Sequence, residues 1–210
     1  GIPMKNYRLA VEKAMGMDFR VQKDAKSIIT KNAELVSLYE YTRFYTLPGI
    51  ATQKKNDSAV SGDSFGMFEL DNGKYNVCIS DGMGSGNDAR RESEMVVDLM
   101  EKFMEAGFMK ETAVRLMNSA MVLQGTKESY STLDFAQIDL YDGQAEILKV
   151  GASASFIKRG DDVRAISSET LPAGFDINQE LSSVKKHLQD GDFLVMVTDG
   201  VLEYLHTNEP

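Results

Sequence analysis

The chain has 210 residues, with 23 Lys and Arg against 32 Asp and Glu, two His, one Cys, no Trp and a formal net charge of −9. That length fits one large domain or one domain plus a fragment, and a 42% hydrophobic content can bury a core that hides roughly 70% of the unfolded surface. The single cysteine, Cys78, excludes an internal disulfide and a cysteine-based zinc site. Two histidines, His187 and His206, are too few for a histidine-rich metal centre and argue against a Ser-His-Asp triad. The acidic balance argues against nucleic acid, whose phosphates call for a basic stripe. No apolar run approaches the ~18 residues that cross a bilayer, and no signal peptide opens the chain, so a cytoplasmic domain without membrane contact is expected. Metal chemistry, if present, must use carboxylates.

In chain order, Met4, Tyr7, Val11 and Ala14 share one helical face, and Gly16 stands where a C-terminal cap belongs. Met17, Phe19 and Val21 alternate with polar neighbours as in a strand. The aromatic and β-branched stretches 35–41 and 43–53 predict two more strands, the second interrupted by Pro48-Gly49. Asn72-Gly73, Asp142-Gly143, Arg159-Gly160 and Asp190-Gly191 each lie between apolar runs and predict tight hairpins, hence antiparallel strands. Two helices are expected, at about 88–106 with Met95, Leu99, Phe103 and Ala106 on one face, and at about 110–124 with Ala113, Leu116, Met117, Ala120 and Met121. The fold class is α+β, dominated by antiparallel strands.

The chemistry gathers around one hairpin. Ser61-Gly62-Asp63 precedes a strand from Ser64 to Leu70, and a strand from Lys74 to Ser80 ends in Asp81-Gly82-Met83-Gly84. With Asn72-Gly73 as the turn centre, Asp63 faces Gly82 and Asp81 faces Ser64, so the two carboxylates sit on adjacent strands at the open end. Like charges there repel unless a divalent cation lies between them. Thr198-Asp199-Gly200 repeats the design after the apolar run 193–197. Oxygen donors suit Mg²⁺ or Mn²⁺ rather than zinc or copper. Asp-Gly pairs are also common turn formers, Asp142-Gly143 among them. It is the combination of three acids that points to metal. A dinucleotide loop fails because Asn87 stands where the third glycine is required, and no Walker Lys-Ser/Thr follows. Asn87 or Asp88 is the expected N-cap of the first long helix.

Ser-Gly-Asp-Ser-Phe at 61–65, Ser-Asp-Gly-Met-Gly-Ser-Gly at 80–86, Ser-Thr-Leu-Asp at 131–134, Leu-Pro-Ala-Gly at 171–174 and Thr-Asp-Gly at 198–200 resemble the metal-dependent protein phosphatases of the 2C type. The Asp-Gly-Met-Gly form, with the run 149–160, most resembles the stage II sporulation protein E group. The resemblance implies a sandwich of two antiparallel β-sheets flanked by antiparallel helix pairs. It further implies two Mn²⁺ or Mg²⁺ ions: Asp81 bridging both, Asp63 and the Gly82 carbonyl serving one, and Asp199 the other. These residues would hold a metal-activated water that hydrolyses phosphoserine on a small regulatory protein, a phosphorylated anti-anti-sigma factor. Asp134 is expected to be structural.

The resemblance covers about residues 43–204. It divides the chain into 1–42, the end of a preceding regulatory or linker segment with the first strands, and 43–210, a phosphatase domain truncated at its C-terminus. The family's last metal-binding aspartate, in a later Asp-Asp-Met-Thr-like motif, has no counterpart before Pro210. A homodimer, and a longer protein tethered to a membrane through a preceding region, are compatible with the family. Two other readings stand beside the enzyme: a catalytically silent regulatory domain that binds the same partner, and a metal-stabilised structural module.

Overall fold

A computed structural model describes residues 1–22, 24–52, 60–84, 86–124 and 130–202. In chain order the elements are β1 (Ile2–Pro3), α1 (Met4–Met15), β2 (Phe19–Val21), β3 (Ile28–Ile29), β4 (Leu38–Glu40), β5 (Asp63–Glu69), β6 (Lys74–Asp81), α2 (Gly86–Glu105), α3 (Lys110–Gln124), β7 (Leu133–Asp139), β8 (Gln144–Val150), β9 (Ser155–Arg159), β10 (Asp162–Ile166), β11 (Ser183–His187) and β12 (Phe193–Val195). Five strands form one antiparallel sheet in the order β11-β8-β7-β6-β5, and three form a second in the order β10-β9-β12. Two small pairs, β1-β3 and β2-β4, belong to the N-terminal stretch.

The five-stranded sheet is covered on both faces. On one face Cys78, Leu133, Phe135, Leu148 and Val150 pack against Val96, Val97, Met100 and Met104 of α2 and Ala113, Val114, Met117 and Met121 of α3. On the other, Ala136 and Ile147 meet Ile157 and Ile166 of the three-stranded sheet, with Leu194 and Met196 alongside. Alternation along β6, β7 and β8 sends successive side chains to opposite faces, so one hydrophobic run serves both cores. Each fully buried aliphatic or methionine side chain contributes about 1.5–3 kcal/mol.

The mixed α+β class and the antiparallel sheets agree with the sequence expectation. So do α1 with its left-handed Gly16 cap (φ 70°), whose N–H reaches Glu12 O at 2.8 Å, and the bounds of α3. Several details differ. The stretch 35–41 forms a strand only at Leu38–Glu40, and residues 43–52 form none; residues 53–59 lie outside the described residues. Phe44 donates its N–H to Leu140 O at 2.8 Å, and its ring joins a core cluster. A strand exists only where a partner supplies ladder bonds, and Pro48 has no N–H to offer.

Asp190-Gly191 is not a hairpin turn. β11 pairs with β8 and β12 with β9, so this turn passes the chain from one sheet to the other. Helix α2 begins at Gly86, which places Asn87 and Asp88 inside its first turn rather than at the cap. Its fully buried stripe is Ala89, Ser93, Val96, Val97, Met100 and Met104, with Met95, Leu99 and Phe103 only partly buried at its margin. On α3 Leu116 is exposed and Val114 takes the buried place. Among the described residues one antiparallel helix pair, α2 and α3, covers the sheet. The several pairs implied by the resemblance are not present there. Helix α1 stands apart from this pair, and only its Met4 is buried.

Candidate metal centre

Hairpin β5-β6 brings Asp63 directly opposite Asp81. The pairing therefore lies one residue away from the expected facing of Asp63 with Gly82. The turn accounts for the slip: Gly73, at φ 75°, donates to Leu70 O at 3.0 Å, and Leu70 donates to Lys74 O at 2.8 Å. That is a three-residue loop closed by a left-handed glycine, which shifts the register relative to a two-residue turn. Directly opposed residues in an antiparallel pair have Cα atoms about 4.5–5.5 Å apart. The two carboxylates are therefore forced together more closely than the sequence implied.

Asp81 carries the electrostatic consequence. Burial, then the neighbouring charge of Asp63, then contact with Asp199 push its carboxyl up to about 7. Asp199 thus reaches the same place from a segment more than a hundred residues away, where it is exposed just beyond β12. Ser61 donates its hydroxyl to Asp63 Oδ2 at 3.2 Å, and Thr198 donates to the same oxygen at 3.5 Å. Three acids with so little compensating positive charge are an arrangement that a cation would stabilise.

The backbone around Asp81 is fixed by hydroxyls. Thr132 Oγ1 accepts the Asp81 N–H at 2.9 Å, while Thr132 N–H and Ser131 Oγ both donate to Asp81 O at 2.8 Å. Ser80 Oγ in turn lies 2.8 Å from Ser131 Oγ and donates to Thr132 O at 2.6 Å. Helix α2 crowds the next residue: a Cβ on Gly82 would lie 1.8 Å from Ala89 O. Only glycine fits there. Close approach here suits the small Ala89, and one turn on, buried Ser93 meets Ser64 with their hydroxyls 2.8 Å apart.

Beneath the acids lies a polar tie between the sheets. Lys149 Nζ donates to Asp134 Oδ2 at 2.7 Å, to Ser153 O at 2.6 Å and to Ser155 Oγ at 2.8 Å. Ser155 of β9 also bonds Asp134. Burial pushes the Asp134 carboxyl up and the Lys149 ammonium down, and the attraction between the two charges opposes both shifts. The structural role expected for Asp134 has this physical basis.

The expected ligands Asp63, Asp81, Asp199 and the Gly82 carbonyl would all present oxygen. Among the described residues, no group of three or more His, Cys, Asp and Glu side chains is arranged to hold a metal ion. Mg²⁺ does not require one, because it keeps several waters and is commonly held by one or two carboxylates. The donor chemistry fits Mg²⁺ or Mn²⁺ with an open coordination shell. The sequence analysis quotes Ser80, Ser131 and Thr132 within motifs but assigns them no role. Their signal is three hydroxyl residues at the strand ends that flank Asp81.

The model of the family described as Stage II sporulation protein E (SpoIIE) matches residues 71–210. The chain belongs to the SpoIIE family. Stage II sporulation protein E of Bacillus subtilis is 43% identical over 155 residues, covering 74% of this chain and 19% of the relative. The solved PP2C phosphatase domain and regulatory fragment of SpoIIE from Bacillus subtilis superposes with a TM-score of 0.76 at 35% identity, covering 98% of this chain and 61% of that one. RsbX, solved in complex with magnesium, shares the fold at 19% identity with a TM-score of 0.58, over 87% of this chain and 78% of that one. The chain therefore spans about a fifth of the curated relative and under two thirds of the solved one. Among the described residues no helix is long and apolar enough to cross a membrane.

Proposed function

We propose that this chain is a PP2C-type serine phosphatase domain that hydrolyses phosphoserine on a small regulatory protein, an anti-anti-sigma factor. One observation carries the reading: Asp63, Asp81 and Asp199 meet at the open end of hairpin β5-β6, where burial first, and then the charges of Asp63 and Asp199, raise the Asp81 carboxyl to about 7. Asp63, Asp81, Asp199 and the Gly82 carbonyl would hold the ions, with Asp81 as the residue common to both. Mn²⁺ or Mg²⁺, when bound, supplies a water of lowered pKa and neutralises phosphoryl charge. The chain's own part is positional. Ser131 and Thr132 hold the Asp81 backbone, Ser61 orients Asp63, and the tight contact between Gly82 and Ala89 fixes the carbonyl's place. No side chain in this arrangement acts as a nucleophile. Residues 43–210 are assigned to the phosphatase domain and 1–42 to the end of a preceding segment.

The open donor set favours one further reading, a regulatory domain that binds the same partner without turnover. Hydrolysis of a phosphoserine peptide and of para-nitrophenyl phosphate, with Mn²⁺ and with chelator, separates the two. Chelator-sensitive turnover is expected of the enzyme. Phosphopeptide binding with no turnover would replace it with the silent binder.

A further inference from the structure

The ladder that holds Asp81 continues outward into an apolar rim. Gly82 pairs with Ser131, and Ser131 with Ala173, as isolated bridges across three segments. One step beyond that row, Met83 donates its N–H to Tyr130 O at 2.9 Å, and the Tyr130 ring lies 5.6 Å from that of Phe175. Met83 is 51% exposed and Phe175 58%, with Leu171 and Ile177 exposed on the same loop. This rim is held firmly from behind. Asn118 of α3 is buried, accepts the Gly174 N–H at 2.8 Å and donates to Asp176 O at 2.8 Å. The apolar side chains thus stand on a preformed support rather than a free loop. Met83 follows Asp81 by two residues, a reach of about 7 Å along an extended chain.

We propose that Met83, Tyr130 and Phe175 form a subsite for the protein segment that carries the phosphoserine, selecting apolar side chains two or three positions from it. The proposal rests on the phosphatase reading and names the substrate class for that site. The occupant follows from the position and the charge of the rim. It is continuous with the row that fixes Asp81, so a segment with its phosphate at the acids must cross it. Asp176 borders the rim, and the chain carries a net −9, so acidic flanking residues are repelled and neutral or basic apolar ones are favoured. Burying one exposed side chain of this size against a matching apolar group improves affinity by about tenfold.

The test uses two phosphoserine peptides, identical except that the flanking positions are Leu and Phe in one and Glu in the other. Affinity is read by fluorescence anisotropy and turnover by phosphate release in Mn²⁺, with para-nitrophenyl phosphate as a small probe. The apolar-flanked peptide should bind about tenfold more tightly. The double variant Met83→Ser, Phe175→Ser should lose most of that preference at an unchanged melting temperature. Phe193→Ser, on the exposed outer side of β12, should keep it. Equal affinity for the two peptides, or a preference undiminished in the double variant, overturns the proposal. The phosphatase reading fails separately, if none of the three compounds shows chelator-sensitive turnover. Anisotropy still decides the subsite in that event.

Discussion

The two faces of the five-stranded sheet are built on different principles. The face under α2 and α3 is closed by apolar contact, with Phe135, Met100, Met117, Met121 and Val96 fully buried. The face under the three-stranded sheet has a smaller apolar cluster, and it carries a buried ion pair, Asp134 with Lys149, tied across by Ser155. Apolar burial is tolerant of small displacements, whereas hydrogen-bonded charges fix atoms relative to each other. The acids lie on the second face, since Asp63 and Asp81 share the side of β5 and β6 that faces the same way as Asp134 and Ala136. Apolar burial therefore comes mainly from the first face, while the carboxylates project from the second and are backed there by the ion pair. Helix α2 on the first face still fixes the place of Gly82.

Lys149→Met breaks the comparison most severely. It leaves Asp134 buried without its cation, and a loss of about 3–5 kcal/mol is expected from urea unfolding. Mn²⁺ affinity measured in the folded fraction should fall as well, because β7 and β8 support the Asp81 strand. Met100→Ala acts on the other face. It removes a fully buried side chain and should cost about 2–5 kcal/mol, yet leave Mn²⁺ affinity unchanged. A loss of metal affinity in Met100→Ala equal to that in Lys149→Met would erase the distinction between the faces.

Thr132→Val is a smaller and sharper probe. It keeps the shape but deprives the Asp81 N–H of its acceptor, at a cost of about 1–3 kcal/mol. Thr132→Ser should restore the bond. Mn²⁺ affinity that falls in the valine variant and recovers in the serine variant would mark Thr132 as a positioning residue. Smallest is the effect of acid on Arg159 and Asp192, a bidentate pair at 2.9 and 2.6 Å that joins β9 to the turn before β12. Hydrogen bonding to Arg159 lowers the Asp192 carboxyl. Its contribution to stability is therefore present above the ordinary aspartate range and lost as pH falls through the lowered value. Asp192→Asn should lower stability slightly near neutrality and flatten the acid limb of a stability–pH curve, so that the two curves converge at low pH.

What could be read from the sequence was what short-range rules decide. Helix periodicity located α1, α2 and α3, Gly16 marked a cap, and the Asn-Gly turn made Asp63 and Asp81 neighbours. Features set by distant contacts were not legible. Asn72-Gly73 fits a two-residue or a three-residue loop equally well, and the choice shifts the register by one. Nor does the sequence show the close approach of Gly82 to Ala89 on the buried face of α2. Residues 43–52 have strand-like composition, but composition does not supply a partner. Lys149 enters the sequence analysis only as the first residue of the run 149–160, and only the folded chain sets it against Asp134 and Ser155.

The most direct test is a calorimetric titration of Mn²⁺ into the chain and into its Asp81→Asn variant. The account predicts saturable binding by the chain, with proton release as the Asp81 carboxyl ionises, and loss of that binding in the variant. Binding that survives in Asp81→Asn, or no binding by the unaltered chain, would contradict the assignment of this end of the hairpin as a metal centre.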